Sequence, residues 1–310
     1  MKVYSSLEEA SDGSLAGRAV CLGNFDGVHL GHQALCAEAR RHGEAVALTF
    51  SPHPGKVLQP QLAPRLIAEP MRKLELREAQ GLAAVIVQPF TLDFAHTGAQ
   101  AFEEALFDRV RARWVVVGAD FTYGARRSGT VETLRAAAGR RGAEVLVVPT
   151  VSVDGVVVSS SHVREYILEG RVEAAARLLG RPFDLDGEVV HGEQRGRTIG
   201  FPTANLATGN ELRPAPGVYA VQVGLLGSGE WWGGAANLGV KPTFGGAEIT
   251  IEAHLLDFTG DLYGQRVRLQ FLERLRSEQK YGSVDQLIAQ IERDVLAARE
   301  ALARRGGKLF

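Results

Sequence analysis

The sequence predicts an α/β domain built on a doubly wound parallel sheet, followed by a small antiparallel β domain that ends in a helix. Three observations predict it. Between Arg18 and about Val151, apolar runs alternate with helical patterns, the order expected of βαβ units. Those runs are continuous and valine-rich rather than alternating, as in a sheet covered on both faces. Beyond Pro182 the pattern changes to short strand-like stretches with glycine-rich turns and no helices between them, which implies an antiparallel sheet or barrel.

Taken in order, strands are expected at 19–22, 45–50, 83–89, 114–118 and 144–149, and helices at 33–41, 71–80, 100–110 and 131–140. Asp154-Gly155 is a hairpin signal. Residues 171–180 read as a short helix closed by a glycine and ended by Arg181-Pro182-Phe183, which sets the domains at 1–182 and 183–310. In the second domain strands are expected at 187–191, 217–226, 231–237, 250–257 and 266–272. A closing helix at 285–304 carries Ile288, Ile291, Val295, Ala298 and Leu302 at alternating steps of three and four, a stripe that packs on the sheet. Trp231 and Trp232, being adjacent, should face opposite sides of a strand, one in the core and the other exposed or at the domain contact.

The chain has 310 residues, the length of two domains that each bury a core. Hydrophobic and charged contents of 45% and 23% are those of a soluble globular protein. With 35 basic and 36 acidic residues the net charge is −1, so nothing in the total argues for a nucleic-acid or membrane partner. Cys21 and Cys36 show no paired spacing and read as two buried thiols in a reducing compartment. Residues 1–17 contain no apolar signal-peptide core, and no apolar run reaches the roughly 18 residues of a membrane span. The expectation is a cytoplasmic protein with small-molecule partners, and the sequence is compatible with a homo-oligomer.

The stretch from Cys21 to His32 turns a strand into a helix through Gly23-Asn24-Phe25-Asp26-Gly27-Val28-His29. Amides at a helix start lack intrahelical partners and the macrodipole adds positive charge, so such a turn cradles phosphate. With the helix beginning near Val28, His29 and His32 lie on one face of its first turn. Gly23, Gly27 and Gly31 let the backbone turn and a ligand approach closely. After the second, fourth and fifth strands come Ser51-Pro52-His53, Gly118-Ala119-Asp120 and Ser159-Ser160-Ser161-His162-Val163-Arg164. In an open α/β sheet ligands bind beyond these carboxyl ends.

A second constellation runs from Gly192 to Leu206. Arg195 and Arg197 bracket Gly196, and Thr203 and Asn205 place two neutral oxygen-bearing side chains two residues apart. Such oxygens can contact Mg²⁺ while leaving it waters and phosphate oxygens as further ligands. Glycine amides and arginines can hold the phosphates of a nucleotide. No Walker A string is present, so a kinase here is neither of the P-loop nor of the protein-kinase type.

The histidine turn resembles the H-x-G-H nucleotidyltransferase superfamily, and its fuller Gly-x-Phe-Asp-Gly-x-His-x-Gly-His form resembles the bacterial FAD synthetases that also carry a riboflavin kinase domain. The segments around His53, Asp120 and Ser159 to Arg164 are similar to motifs of the same family in the same order, although Ser51, Thr122-Tyr123 and His162 depart from its commoner forms. The resemblance implies His29 and His32 as catalytic, with Gly23, Asn24, Phe25, Asp26, Gly27, Asp120, Ser159, Ser160, Ser161 and Arg164 on the nucleotide. The second constellation is similar to the glycine-rich and Pro-Thr-Ala-Asn motifs of riboflavin kinases. That likeness continues through Asn237-Leu238-Gly239, Ile251-Glu252-Ala253 and Leu262-Tyr263-Gly264 to the Leu275–Tyr281 run. It implies a small β-barrel with a C-terminal helix, nucleotide contacts at Gly192, Arg195, Gly196, Arg197, Thr203 and Asn205, and Glu252 as general base. A carboxylate beside Mg-ATP can accept the proton of an alcohol as the phosphoryl group arrives.

The function implied is bifunctional. The second domain would phosphorylate riboflavin to FMN with ATP and Mg²⁺, and the first would join FMN to the AMP part of a second ATP, giving FAD and pyrophosphate. The alternative is a monofunctional FMN adenylyltransferase whose barrel binds flavin without catalysis.

Overall fold

The computed structural model describes residues 1–192, 195–243 and 246–305, and of residues 195, 197, 241–243 and 246–248 the backbone alone. Contacts divide the chain into two compact units, Met1–Arg65 with Pro70–Ser159, and Leu66–Glu69 with Ser160–Phe310.

The first unit is a six-stranded parallel sheet of β1 (Lys2–Tyr4), β2 (Ala19–Leu22), β3 (Ala45–Ser51), β4 (Ala84–Pro89), β5 (Trp114–Gly118) and β6 (Glu144–Val148), in the order β1-β4-β3-β2-β5-β6. The valine-rich runs are strands because both their faces are covered: every residue of β2 and Val115, Val116 and Val117 of β5 are buried. β1 has no apolar run to announce it. Only Tyr4 of its three residues is buried, and it joins the sheet edge beside β4. The helices used below are α1 (Leu30–Arg40), α2 (Pro70–Glu78) and α3 (Val131–Gly139), the last capped by Thr130. The helix expected at 100–110 is an α-helix over Ala99–Glu104 that widens into a π-helix over Ala105–Arg109. The chain steps outward from β2 to β3 and β4, then crosses back to place β5 on the other side of β2. That reversal makes the carboxyl ends of β2 and β5 the topological switch point, where such sheets bind ligands.

The Asp154-Gly155 hairpin forms, with both residues at positive φ (51° and 78°) between paired Ser152–Val153 and Val156–Val157.

The second unit opens with α4 (Ser160–Leu168) and α5 (Val172–Leu179), the latter ended by Gly180 in the left-handed conformation. A closed antiparallel barrel follows: β7 (Phe183–Val190), β8 (Ala204–Ala207), β9 (Gly217–Leu225), β10 (Trp231–Thr243), β11 (Gly246–Leu255) and β12 (Arg266–Arg276), in the order β7-β8-β11-β10-β9-β12. Where the sequence marks five strands, the barrel has six. The additional one, β8, lies in the Pro-Thr-Ala-Asn segment, where only Leu206 is buried and no alternation is visible. β7 starts at Phe183 rather than 187 because Phe183 and Leu185 fill the interior against Phe271 and Leu269, while the intervening Asp184 and Asp186 are buried polar residues. Arg268 donates to both oxygens of Asp186 at 2.7 Å, with side chains 10% and 7% exposed. Removing one partner strands the other charge in a poorly solvated place. Asp186→Ala is therefore expected to destabilise the barrel by about 3–5 kcal/mol, read as a lower urea midpoint for its unfolding transition.

The closing helix, α6 (Val284–Arg304), is capped by Ser283 and packs through Ala298 and Ala301 against Ala220, Ala235 and Leu272. Leu302 joins this contact, and Ile288, Ile291 and Val295 are half-buried. The stripe is interrupted by Asp294, buried by the guanidinium of Arg276 at 2.7–3.1 Å. The two tryptophans correct the expectation that one would be core: both are half-buried, Trp231 beside Gly224 and Trp232 edge-on to Phe258 at 4.9 Å.

Candidate active sites

In the first unit β2 ends at Leu22 and α1 begins at Leu30, two residues later than the spacing suggests. His29 is the N-cap. Its Nδ1 accepts the backbone N–H of His32 at 3.3 Å, and the two imidazoles stack with centroids 3.7 Å apart and planes 15° from parallel. Both rings thus stand over the helix start. A Cβ on Gly31 would press on the His29 ring at 3.2 Å, so glycine leaves that ring its place.

The turn before the cap is tightly wound. Phe25, Gly27 and Val28 all have positive φ (50°, 77° and 43°), and Phe25 and Val28 are fully buried. Positive φ is rare for a β-branched or aromatic residue, so the surroundings must enforce it. Thr49 Oγ1 at the end of β3 donates to the Asn24 carbonyl at 3.1 Å, and Lys73 of α2 reaches the buried Asp26 carboxylate at 3.4 Å. The Asn24 amide lies 3.5 Å from His53 Nε2. Gly23 sits against the Phe25 ring, where a Cβ would be in ordinary contact at 3.4 Å. Asp120 is exposed just beyond β5, its carboxylate folded over Gly118. Ser159 closes this unit. Ser160, half-buried Arg164 and exposed Ser161 belong to α4 in the other unit.

Beneath the turn, Cys21 and Cys36 are both inaccessible. A hydrogen bond to Cys36 and burial push the Cys21 thiol well above its ordinary range, so it stays protonated and is no nucleophile.

In the barrel, register brings the second constellation together. Asn205 of β8 pairs with Glu252 of β11, and Glu252 pairs on its other side with Asn237 of β10. Directly opposed residues share a face of the sheet with Cβ atoms about 5 Å apart. Ile251 and Ala253, the neighbours of Glu252, are buried, whereas Glu252 is half-exposed, which puts the three polar groups on the outer face. A Cβ on Gly192 would coincide with the Asn205 amide, and one on Gly196 would strike the Phe201 carbonyl and approach Thr203 Oγ1 to 3.4 Å. Gly192 is therefore packed directly on Asn205, and Gly196 lies close to Thr203. Gly192→Ala is expected to displace the Asn205 amide and lower any phosphoryl transfer here by about 10- to 100-fold, with the first unit's activity unchanged in the same preparation. His254 Nδ1 contacts the Pro202 carbonyl at 2.8 Å and fixes the approach to β8. Arg195–Thr198 is a single helical turn, and the side chains of Arg195 and Arg197 lie outside the described residues, as does Phe244 of the neighbouring motif.

Thr203 and Asn205 offer neutral oxygens and Glu252 a carboxylate, a donor set suited to a hard cation that keeps several of its waters.

Sequence reasoning missed Lys73, Thr49 and Asn237. Lys73 is a basic residue in an expected helix with no mark of its ion pair, and Thr49 lies inside an expected strand. Asn237 stands in a segment already singled out, but only strand register shows that it flanks Glu252.

Two family models match the chain, one described as FAD synthetase over residues 12–162 and one as riboflavin kinase (Flavokinase) over residues 179–302. Fold and matches together define a two-part transferase, a nucleotidyltransferase sheet followed by a flavokinase barrel. The bifunctional riboflavin kinase/FMN adenylyltransferase of Escherichia coli strain K12 is 37% identical over 307 residues, covering 97% of each chain. The Bacillus subtilis strain 168 protein of the same name is 36% identical over 285 residues, 89% of each. The chain belongs to the family of bifunctional riboflavin kinase/FMN adenylyltransferases. A Streptococcus pneumoniae crystal structure described as a macrolide-efflux protein has the same fold, with a TM-score of 0.88 and 33% identity over 98% of this chain and 99% of that one. Among the described residues no helix is long and apolar enough to cross a membrane.

Proposed function

We propose that this chain makes FAD from riboflavin in two ATP-dependent steps, with residues 183–310 as the riboflavin kinase and residues 1–182 as the FMN adenylyltransferase. The observation that carries the reading is that family-model matches to both halves lie on one chain, over 12–162 and 179–302.

In the kinase step the riboflavin primary hydroxyl attacks the γ-phosphorus of ATP and ADP leaves. Glu252 takes the hydroxyl proton, and Asn205 and Asn237 on either side orient its carboxylate. Thr203 and Asn205 would hold Mg²⁺, which supplies neutralising charge to the nucleotide phosphates. Gly192, Gly196, Arg195 and Arg197 hold the nucleotide.

In the adenylyl step an FMN phosphate oxygen attacks the α-phosphorus of ATP and pyrophosphate leaves. The attacking phosphate is already an anion, so no strong base is required; positioning and charge neutralisation carry the catalysis. His29 suits this role because its Nδ1 is occupied by the His32 amide. The neutral ring then keeps its proton on Nε2 and presents a donor to a phosphate oxygen. His32, the α1 N-terminus, Ser159, Ser160, Ser161 and Arg164 supply the remaining donors, with Gly23 to Gly27 and Asp120 around the nucleotide. The setting is cytoplasmic, the partners are small molecules rather than nucleic acid or membrane, and association into a homo-oligomer fits this reading.

Incubation of the protein with riboflavin, ATP and Mg²⁺, followed by chromatography of the flavins, tests it. FMN is expected first and FAD after it. Riboflavin left unchanged while added FMN becomes FAD would make the barrel a binding module, and no turnover of either would overturn the proposal.

A further inference from the structure

Arg77 lies on α2 one turn beyond Lys73, and its side chain turns inward under the histidine turn, only 3% exposed. Its Nη2 donates to Thr49 Oγ1 at 3.3 Å, the same hydroxyl that donates to the Asn24 carbonyl. Its guanidinium carbon is 5.6 Å from the centre of the Phe25 ring. That ring in turn lies 5.1 Å from the His32 ring, which stacks on His29.

This is a costly residue to bury. Nε has no hydrogen-bond partner, and no ion pair involves Arg77, among the described residues. Asp26 favours its charge from nearby but is ion-paired to Lys73. Burial pulls its pKa down to about 10, which still leaves it charged at neutral pH. Its surroundings include the inaccessible Cys21 and Cys36, beside which an apolar side chain would be better suited. A buried charge with no ion partner carries a desolvation cost that no Coulombic contact fully offsets, so fold stability alone does not account for arginine here.

The turn itself does account for it. Phe25 and Val28 are held at positive φ, and such backbone persists only where neighbours over-determine it. We infer that Arg77 is a positioning residue for adenylyl transfer, which fixes Asn24 through Thr49 and the His32–His29 stack through Phe25. The inference rests on reading the histidine turn as the adenylyl-transfer site. Arg77 touches no reacting atom. Together with the Lys73–Asp26 ion pair, its guanidinium ties α2 to a turn that would otherwise relax toward ordinary backbone angles.

The test uses the full chain as wild type, Arg77→Met, Arg77→Lys and Thr49→Val. FAD formation is measured from supplied FMN and Mg-ATP, with riboflavin phosphorylation and thermal unfolding measured alongside. For Arg77→Met we expect kcat for FAD formation to fall about 10- to 100-fold, the unfolding midpoint to hold or rise, and riboflavin phosphorylation to stay at the wild-type rate. Arg77→Lys, which keeps a charge and a donor for Thr49, should recover part of the loss, and Thr49→Val should lower kcat in the same direction. Undiminished FAD formation in Arg77→Met overturns the inference alone. So does a loss that only follows a lowered midpoint and is no smaller in Arg77→Lys. Wild-type protein unable to convert FMN to FAD overturns the reading of the site and the inference with it.

Discussion

His29→Ala is expected to lower FAD formation from FMN by about 100- to 1000-fold, the loss seen when one preorganised donor to a developing anion is removed, while riboflavin phosphorylation continues unchanged. Two roles are lost together in this variant. The imidazole caps α1 through Nδ1 and, in the proposed reaction, would offer Nε2 to the phosphates; loss of the cap alone costs about 1 kcal/mol of stability. His29→Ser separates them. Its hydroxyl can accept the His32 amide and restore the cap, but it is too short to reach a phosphate. Stability should recover and activity should not. If His29→Ser makes FAD at the wild-type rate, the histidine is a structural cap and its catalytic role is lost.

Glu252→Gln should show the mirror image. The glutamine keeps the size and hydrogen-bonding capacity needed between Asn205 and Asn237, but it cannot accept a proton. FMN formation is expected to fall about 100- to 10,000-fold, and supplied FMN should still become FAD. The measurement is the initial rate of each product in one preparation of each variant. Loss of both activities in either variant would break the two-site scheme, because the residues lie in separate compact units with separate cores.

The parts legible in the sequence were those whose physics is local. The strands at 19–22 and 114–118 were read to the residue because a doubly covered parallel strand is apolar throughout. The Asp154-Gly155 hairpin and the Gly180 helix end were readable because positive φ selects those residues wherever it is needed. The histidine segment was readable as a tight turn from its glycines and its place between a strand and a helix. β1 and β8 were not legible. β1 owes its existence to partners 82 residues away, and β8 is a short Ala-Asn-Leu-Ala segment with no alternation, held by neighbours on both sides. The start of β7 was hidden because Asp184 and Asp186 look like solvent-facing residues until Arg268 arrives from β12.

By itself, then, the sequence determined the two-part architecture, the position of the switch-point turn and the chemical types in each constellation. Patterning, turn chemistry and residue type act over a few residues and need no partner. Tertiary structure alone decided that Asn237 completes the row around Glu252, that His29 caps the helix with its ring stacked on that of His32, and that Arg77 lies buried beneath the strained turn. Each of those depends on register or on packing between elements distant in the chain, and a charge or amide bears no local mark of which distant residue it will face.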